Sequence, residues 1–415
     1  MKLFTRYGRL RHLPLVLFLF AAFPNACTDA VSRERYQAPP LPAILLDPHI
    51  QALIAEYDRF FSDSMRTSKT PGAAVVIVKD SVVLFERGYG LKSTVSGDSV
   101  DINTLFRIGS LSKGFAGVLT GIMVQEGKLH WEDPIVRYVP EFVLSSPEQT
   151  QQVQLVHLLS HTSGLPYHAY TDMIESGYDM RTIATYFSRL PLFGKPGEMF
   201  SYQNAAFSLV GEAMEAVTQE KYAQLIAEKI FRPAGMHHAS ADWESIHNYP
   251  NTALPHNRTS IGWIPDTITT RFFNAAPAGG VNASIDDMGQ WLKLLLGQRP
   301  DLVSAETLDR VFHPMVRTYN ERRRFRAWDG EKEAYYALGW RVLVNGADTI
   351  VCHSGSVNGY RGEIALDRQK GIAICVLFNA STELAPLCIP TFFEKYRALV
   401  EGRKTSGPSG PAAGL

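Results

Sequence analysis

Leu105-Phe106-Arg107-Ile108-Gly109-Ser110-Leu111-Ser112-Lys113-Gly114 changes character part-way along its length. Leu105 to Ile108 reads as extended chain, Gly109 breaks it, and a helix follows from Ser110 to Glu126 with a stop at Gly127. Ser110 therefore opens a helix, where backbone N–H groups and the helix dipole favour developing negative charge. Lys113, three residues on, occupies the same face one turn along. Gly114, Gly117 and Gly121 continue that face without side chains, so another element can close over it and enclose the lysine. Enclosure disfavours the ammonium and leaves an amine that can act as a base.

Outward from this stretch, strand signals lie towards both ends of the chain and helical signals between them. Asp47 to Met65 carries Ile50, Leu53, Ile54, Tyr57, Phe60 and Phe61 at helical spacing. Ala73 to Val78 and Val82 to Tyr89, separated by Lys79-Asp80-Ser81, read as a hairpin. Strand patterns return at Leu338 to Val344, an Asn345-Gly346 turn, Thr349 to His353, Gly362 to Asp367 and Ile372 to Phe378. Between them, Ala205 to Val217, Tyr222 to Phe231 and Ser284 to Leu296 read as helices. Phe392, Phe393, Tyr396, Leu399 and Val400 form a last helical stripe suited to covering the sheet beside the first helix. The expected fold is α+β: an antiparallel sheet flanked by N- and C-terminal helices, with a large inserted helical lobe. One unit spans 45–400, its sheet lobe built from about 45–100 and 335–400. The Gly-, Ser-, Pro- and Ala-rich residues 401–415 are expected to be a disordered tail.

Composition narrows the function. With 45% apolar and 20% charged residues the chain can bury a core and is not of disordered type. Lys plus Arg and Asp plus Glu are equal at 41 each, which argues against nucleic acid as a partner. Lys2, Arg6, Arg9 and Arg11 precede the uncharged run Leu13 to Phe23, the pattern of a secretory signal, and residues 1–26 are expected to be one. That run is too short to span a membrane. Cleavage before Cys27 would leave an amino-terminal cysteine that could carry a lipid and attach the protein to a membrane. Cleavage near Ala26 or Ala30 would simply release the chain, and both outcomes stay open. The expected location is accordingly outside the cytoplasm, as a periplasmic protein or an outer-membrane lipoprotein. Cys352, Cys375 and Cys388 are too few for a disulfide scaffold.

Two further segments bear on chemistry. Tyr202-Gln203-Asn204 lies between a turn-rich stretch and a helix, and its phenol and carboxamide can point the same way. His353-Ser354-Gly355 ends a strand, and the glycine allows a substrate to lie close to the backbone. Ser110-x-x-Lys113, Tyr202-x-Asn204 and His353-Ser354-Gly355, in that order, resemble the three motifs of the serine β-lactamase and penicillin-binding-protein superfamily. The similarity is greatest to its class C β-lactamase, DD-peptidase and family VIII esterase branch. Phe106 to Ser110, Leu158-Leu159-Ser160-His161-Thr162-Ser163-Gly164-Leu165, Pro277-Ala278-Gly279-Gly280 and Gly359 to Asn379 extend the resemblance.

The resemblance implies an exported serine hydrolase acting on an amide, ester or β-lactam, small molecule or peptide. Ser110 would be the acyl-accepting nucleophile, with Lys113 and Tyr202 sharing proton transfer. Asn204, His353, Ser354 and Gly355 would contact substrate, and the amides of Ser110 and Ser356 would form the oxyanion hole. His353 replaces the lysine of many relatives, so it would present a charge that is lost between roughly pH 5 and 8. The alternative is a penicillin-recognising sensor that is acylated and does not turn over. No cofactor or metal is implied: His157 and His161 are four apart but lack the His-Glu-x-x-His pattern.

Overall fold

Asp47 accepts hydrogen bonds from the His49 and Ile50 amides and so starts α1 (Pro48–Ser68), whose buried stripe is Ile50, Leu53, Tyr57, Phe61 and Met65. The structure is a computed structural model that describes residues 42–328, 330, 332–345 and 348–405. The expected signal segment, Cys27, Gly346 of the expected Asn345-Gly346 turn and residues 406–415 lie outside the described residues. After α1 come β1 (Gly72–Lys79) and β2 (Val82–Gly90), the expected hairpin, reversed at a left-handed Asp80. A short 3-10 turn, Gly109–Leu111, leads into α2 (Ser112–Gln125). The inserted helical region includes α3 (Asn204–Thr218) and α4 (Ile285–Leu295). The chain returns through β3 (Val316–Arg317), β4 (Glu333–Tyr336), β5 (Arg341–Asn345), β6 (Asp348–Val357), β7 (Tyr360–Asp367) and β8 (Ile372–Phe378), and closes with α5 (Ala385–Thr405).

These strands form one antiparallel sheet in the order β2-β1-β8-β7-β6-β5-β4-β3. The first and last long strands are direct neighbours, with Ala73 opposite Phe378. Alternate residues of β1 then enter different cores. Ala74, Val76 and Val78 face the inserted helices, while Ala73, Val75 and Ile77 join Tyr57 and Phe61 of α1 and Phe392 and Tyr396 of α5. Both faces are covered, which is why β1 and β8 read as unbroken apolar runs. This is the expected α+β architecture.

Three local expectations are corrected. The strand expected from Leu338 begins only at Arg341, because Gly339 turns through a left-handed conformation (φ 85°). The residues before it press on α2 instead: a methyl group on Gly117 would fall 2.1 Å from the Leu338 carbonyl oxygen, and one on Gly114 would fall 2.4 Å from the Trp340 ring. The glycine face of α2 thus receives the close neighbour its sequence invites. The helix expected over Tyr222–Phe231 divides into an α-helical turn, Tyr222–Ile226, and a π-helical turn, Ala227–Phe231. The final helix runs to Thr405, into the stretch expected to be disordered.

Candidate active site

Ser110 sits in the 3-10 turn where extended chain becomes helix. The Ser112 hydroxyl donates to the Gly109 carbonyl (2.6 Å) and accepts from the Val281 amide (3.0 Å), which fixes the turn to the Pro277–Val281 segment. Two glycines let this turn lie against β6. A Cβ on Gly109 would come within 2.7 Å of the Ser356 amide nitrogen, and one on Gly355 within 2.1 Å of the Ile108 carbonyl oxygen and 3.0 Å of the Ser110 amide nitrogen. The Ser110 and Ser356 backbones therefore lie side by side, the arrangement a pair of oxyanion donors needs.

Lys113 is fully buried; its Nζ donates to Asn204 Oδ1 and to the Ala278 carbonyl (2.8 Å each) and lies 3.3 Å from Ser110 Oγ, so that with two N–H groups used in this way an unprotonated amine keeps its lone pair for the Ser110 hydroxyl. All three are neutral oxygens. Burial, and then the nearby charge of Arg341, hold its proton affinity well below that of an ordinary lysine. Tyr202 hydrogen-bonds with Ser110; burial pushes its phenol up to about 12, with Arg341 and the Ser110 bond opposing the shift. The pair is thus divided into an amine ready to accept a proton and a phenol that keeps its own. Asn204, the first residue of α3, presents its carbonyl oxygen to Lys113 and its amide nitrogen towards His168 Nδ1 (3.5 Å).

Tyr202 rests on His161, whose ring centroid is 4.2 Å away and which also packs on Phe207 and Tyr336. His161 adopts a left-handed backbone (φ 57°) and accepts a hydrogen bond from the Gln203 amide through Nδ1 (3.1 Å). His157 instead accepts from the Gln154 amide (3.1 Å), so the two histidines serve separate neighbours.

The third segment differs from its expected role. His353 is buried, and Arg341 Nη1 donates to its Nε2 (2.9 Å). A guanidinium has no acceptor, so Nε2 is bare and Nδ1 carries the proton, donating to the Ser354 carbonyl (2.9 Å). Burial, Arg341 and Lys113 depress its proton affinity well below the usual imidazole value. His353 is therefore a neutral acceptor behind the cleft wall, and the titrating substrate-facing cation expected at this position is not present there. The cations facing the cleft are arginines. Arg324 donates to Ser354 Oγ (3.1 Å), while Arg341 forms a bidentate pair with Glu321 (2.8 Å for each bond). Ser110, Tyr202, Asn204, Ser354, Gly355 and Ser356 all line one cleft of about 390 Å³.

Residues 57–390 match the family described as Beta-lactamase. The chain belongs to the Beta-lactamase family. Protein Flp of Staphylococcus aureus strain MW2 is 25% identical over 340 residues, covering 80% of this chain and 64% of its own length. The chain thus spans somewhat less than two thirds of that relative. Unguisins hydrolase UngD′ of Aspergillus campestris is 25% identical over 333 residues, 75% of this chain and 59% of its own. Among solved structures, the octameric penicillin-binding protein homologue from Pyrococcus abyssi superposes with a TM-score of 0.70 at 26% identity, over 84% of this chain and 77% of that one.

Within this Beta-lactamase family frame, the structure brings Ser110, Lys113, Tyr202 and Asn204 together as expected from their motifs. It adds Arg341, Glu321, Arg324 and His168, which the sequence reading did not single out. Arg341 lies twelve residues before His353, in a segment read only as strand. His168 lines the cleft with a left-handed backbone (φ 56°), its amide bonded to the Tyr202 carbonyl. Neither has a local spacing signal.

Proposed function

We propose that this member of the family hydrolyses its substrate through an acyl-enzyme on Ser110. The observation that carries the reading is Lys113, buried among neutral oxygens 3.3 Å from Ser110 Oγ at the wall of an open cleft. The unprotonated amine takes the Ser110 proton as Oγ adds to the substrate carbonyl carbon. The tetrahedral oxyanion is held by the Ser110 and Ser356 amides. Collapse breaks the bond to the leaving group, which receives a proton from the Lys113–Tyr202 pair. Water then repeats the addition, giving up a proton to that pair, which passes it to Ser110 Oγ as the acyl–oxygen bond breaks, so that the acid leaves and the hydroxyl is restored. Family membership and a relative named as a hydrolase support the reaction type.

Arg271, Arg324, Arg341 and Arg361 line the cleft, and the carboxylates paired with them are Glu175, Glu321 and Glu363, which leaves a surplus of one positive charge. This favours an amide, ester or lactam donor, small molecule or peptide, that carries a negative charge. The basic and then apolar amino-terminal sequence supports export, either cleaved or lipid-anchored at Cys27.

Ser110→Ala should abolish covalent labelling by a fluorophosphonate or penicillin probe, read by intact mass. Labelling that persists would remove Ser110 as nucleophile. A panel of a chromogenic cephalosporin, a short-chain p-nitrophenyl ester and a D-alanyl-D-alanine peptide identifies the donor. A burst without turnover on all three would mark a sensor in place of an enzyme.

A further inference from the structure

Two basic groups share one phenol. Lys113 Nζ lies 4.9 Å, and the guanidinium carbon of Arg341 5.3 Å, from the centroid of the Tyr202 ring. The hydrogen-bond partners of Lys113 are uncharged, so whatever balances this charge must come from elsewhere. It comes from Glu321, on the 3-10 segment Tyr319–Phe325 between β3 and β4. Its Oε2 accepts from Arg341 Nε and its Oε1 from Arg341 Nη2, both at 2.8 Å, with Arg324 Nε 3.4 Å away. The two paired side chains are only 8% and 4% exposed. A buried ion pair of this kind contributes little net stability, because desolvation offsets its attraction. Its position beside the nucleophile's proton carriers is the feature that asks for an explanation.

We propose that Glu321 is a positioning residue of the Ser110 site: it fixes Arg341 against His353 and Tyr202, and it offsets the guanidinium charge where Lys113 and Tyr202 exchange a proton. The proposal rests on the hydrolase reading of Ser110. The charged and titratable groups facing this centre are Lys113 on α2, Tyr202 ahead of α3, Arg324 and Glu321 on the 3-10 segment, Tyr336 on β4, Arg341 on β5, His353 on β6, and His161 and His168 on the loop between residues 160 and 170. Glu363 on β7 also faces the two arginines, but its carboxylate is paired with Arg361 (2.5 Å), so Glu321 is the carboxylate that holds Arg341. An anion here stabilises protonated Lys113 and opposes ionisation of Tyr202. Its removal therefore lowers the proton affinity of both groups, and both limbs of a pH–rate profile move to lower pH.

The test is the pH dependence of kcat/KM for a neutral alkyl ester, whose leaving group needs a proton. Glu321→Gln should move both limbs down by about one pH unit, the size expected on removing one nearby charge in a partly screened site. Glu321→Asp keeps the charge but cannot reach both guanidinium nitrogens, so its profile should stay in place with a lower maximum. A Glu321→Gln enzyme with a lower maximum and unmoved limbs would show a purely structural residue and overturn the proposal, as would limbs that move up. Should Glu321→Gln fail to fold, Arg341→Met should move both limbs up, and the Glu321→Gln/Arg341→Met double variant should restore their wild-type positions. Unmoved limbs in Arg341→Met would equally overturn it. Absence of Ser110-dependent turnover in the wild-type protein would be a different result, one that removes the hydrolase reading itself.

Discussion

His353 illustrates how far a single position can be read from its neighbours in sequence. A histidine at the start of the third motif invites the expectation of a weakened cation facing the substrate. In the folded chain a cation, Arg341, already stands beside His353 and uses it as an acceptor. His353→Lys should therefore harm the protein: a second cation would meet the guanidinium at 2.9 Å with its acceptor gone. We expect a loss of about 3 kcal/mol, typical of a buried charge left without a partner, and lower kcat/KM for acidic and neutral substrates alike. His353→Gln, which retains an acceptor, should be milder. Thermal melts and kinetics on a matched acid and neutral ester check this, and a fully stable lysine variant with improved turnover of the acid would contradict it. Ser110, Lys113, Tyr202 and Asn204 were legible because their partnerships are local or motif-borne. Glu321 and Arg341 were not, because an ion pair between a loop and a strand leaves no periodic trace.

At the level of elements, two close approaches build the site. α2 meets the Leu338–Trp340 segment through Gly114 and Gly117, and the Ser110 turn meets β6 through Gly109 and Gly355. The first was readable from small residues recurring along one helical face; the second was readable only as a glycine at a strand end. Gly355→Ala places a methyl group 2.1 Å from a backbone oxygen that cannot rotate away, so the Ser110 turn must shift. On the proposed hydrolase reading, a displacement of that kind between Ser110 and the Ser356 amide should lower kcat/KM on the order of 10²-fold, with a smaller effect on the melting temperature. Kinetics and a melt on the same preparation decide it; wild-type turnover would mean that the two backbones tolerate separation. Val316–Arg317 and Glu333–Tyr336 went unread as strands for a different reason. A two-residue strand has no period to detect, and the four-residue one stands at the sheet margin beside irregular chain.

For the whole molecule, the split of the sheet between the two ends of the chain was visible in the distribution of β-branched runs, and the pairing of β1 with β8 completes it. The export reading belongs to this scale as well. Full-length protein expressed in a bacterial host should appear outside the cytoplasm with its mass reduced by the leader; a diacylglycerol-sized addition on Cys27 would establish the anchored form, and an unprocessed cytosolic product would refute export. The pairing of β1 with β8 has a consequence for the order of events during synthesis. The strand that partners Ala73 is translated roughly three hundred residues later, a long-range closure of the kind that folds slowly. A nascent chain released early has neither a sealed sheet nor the Ser356 amide beside Ser110. Ser110 is thus made long before the strand that completes its setting, and a partly translated chain does not yet hold the assembled cleft of the finished one.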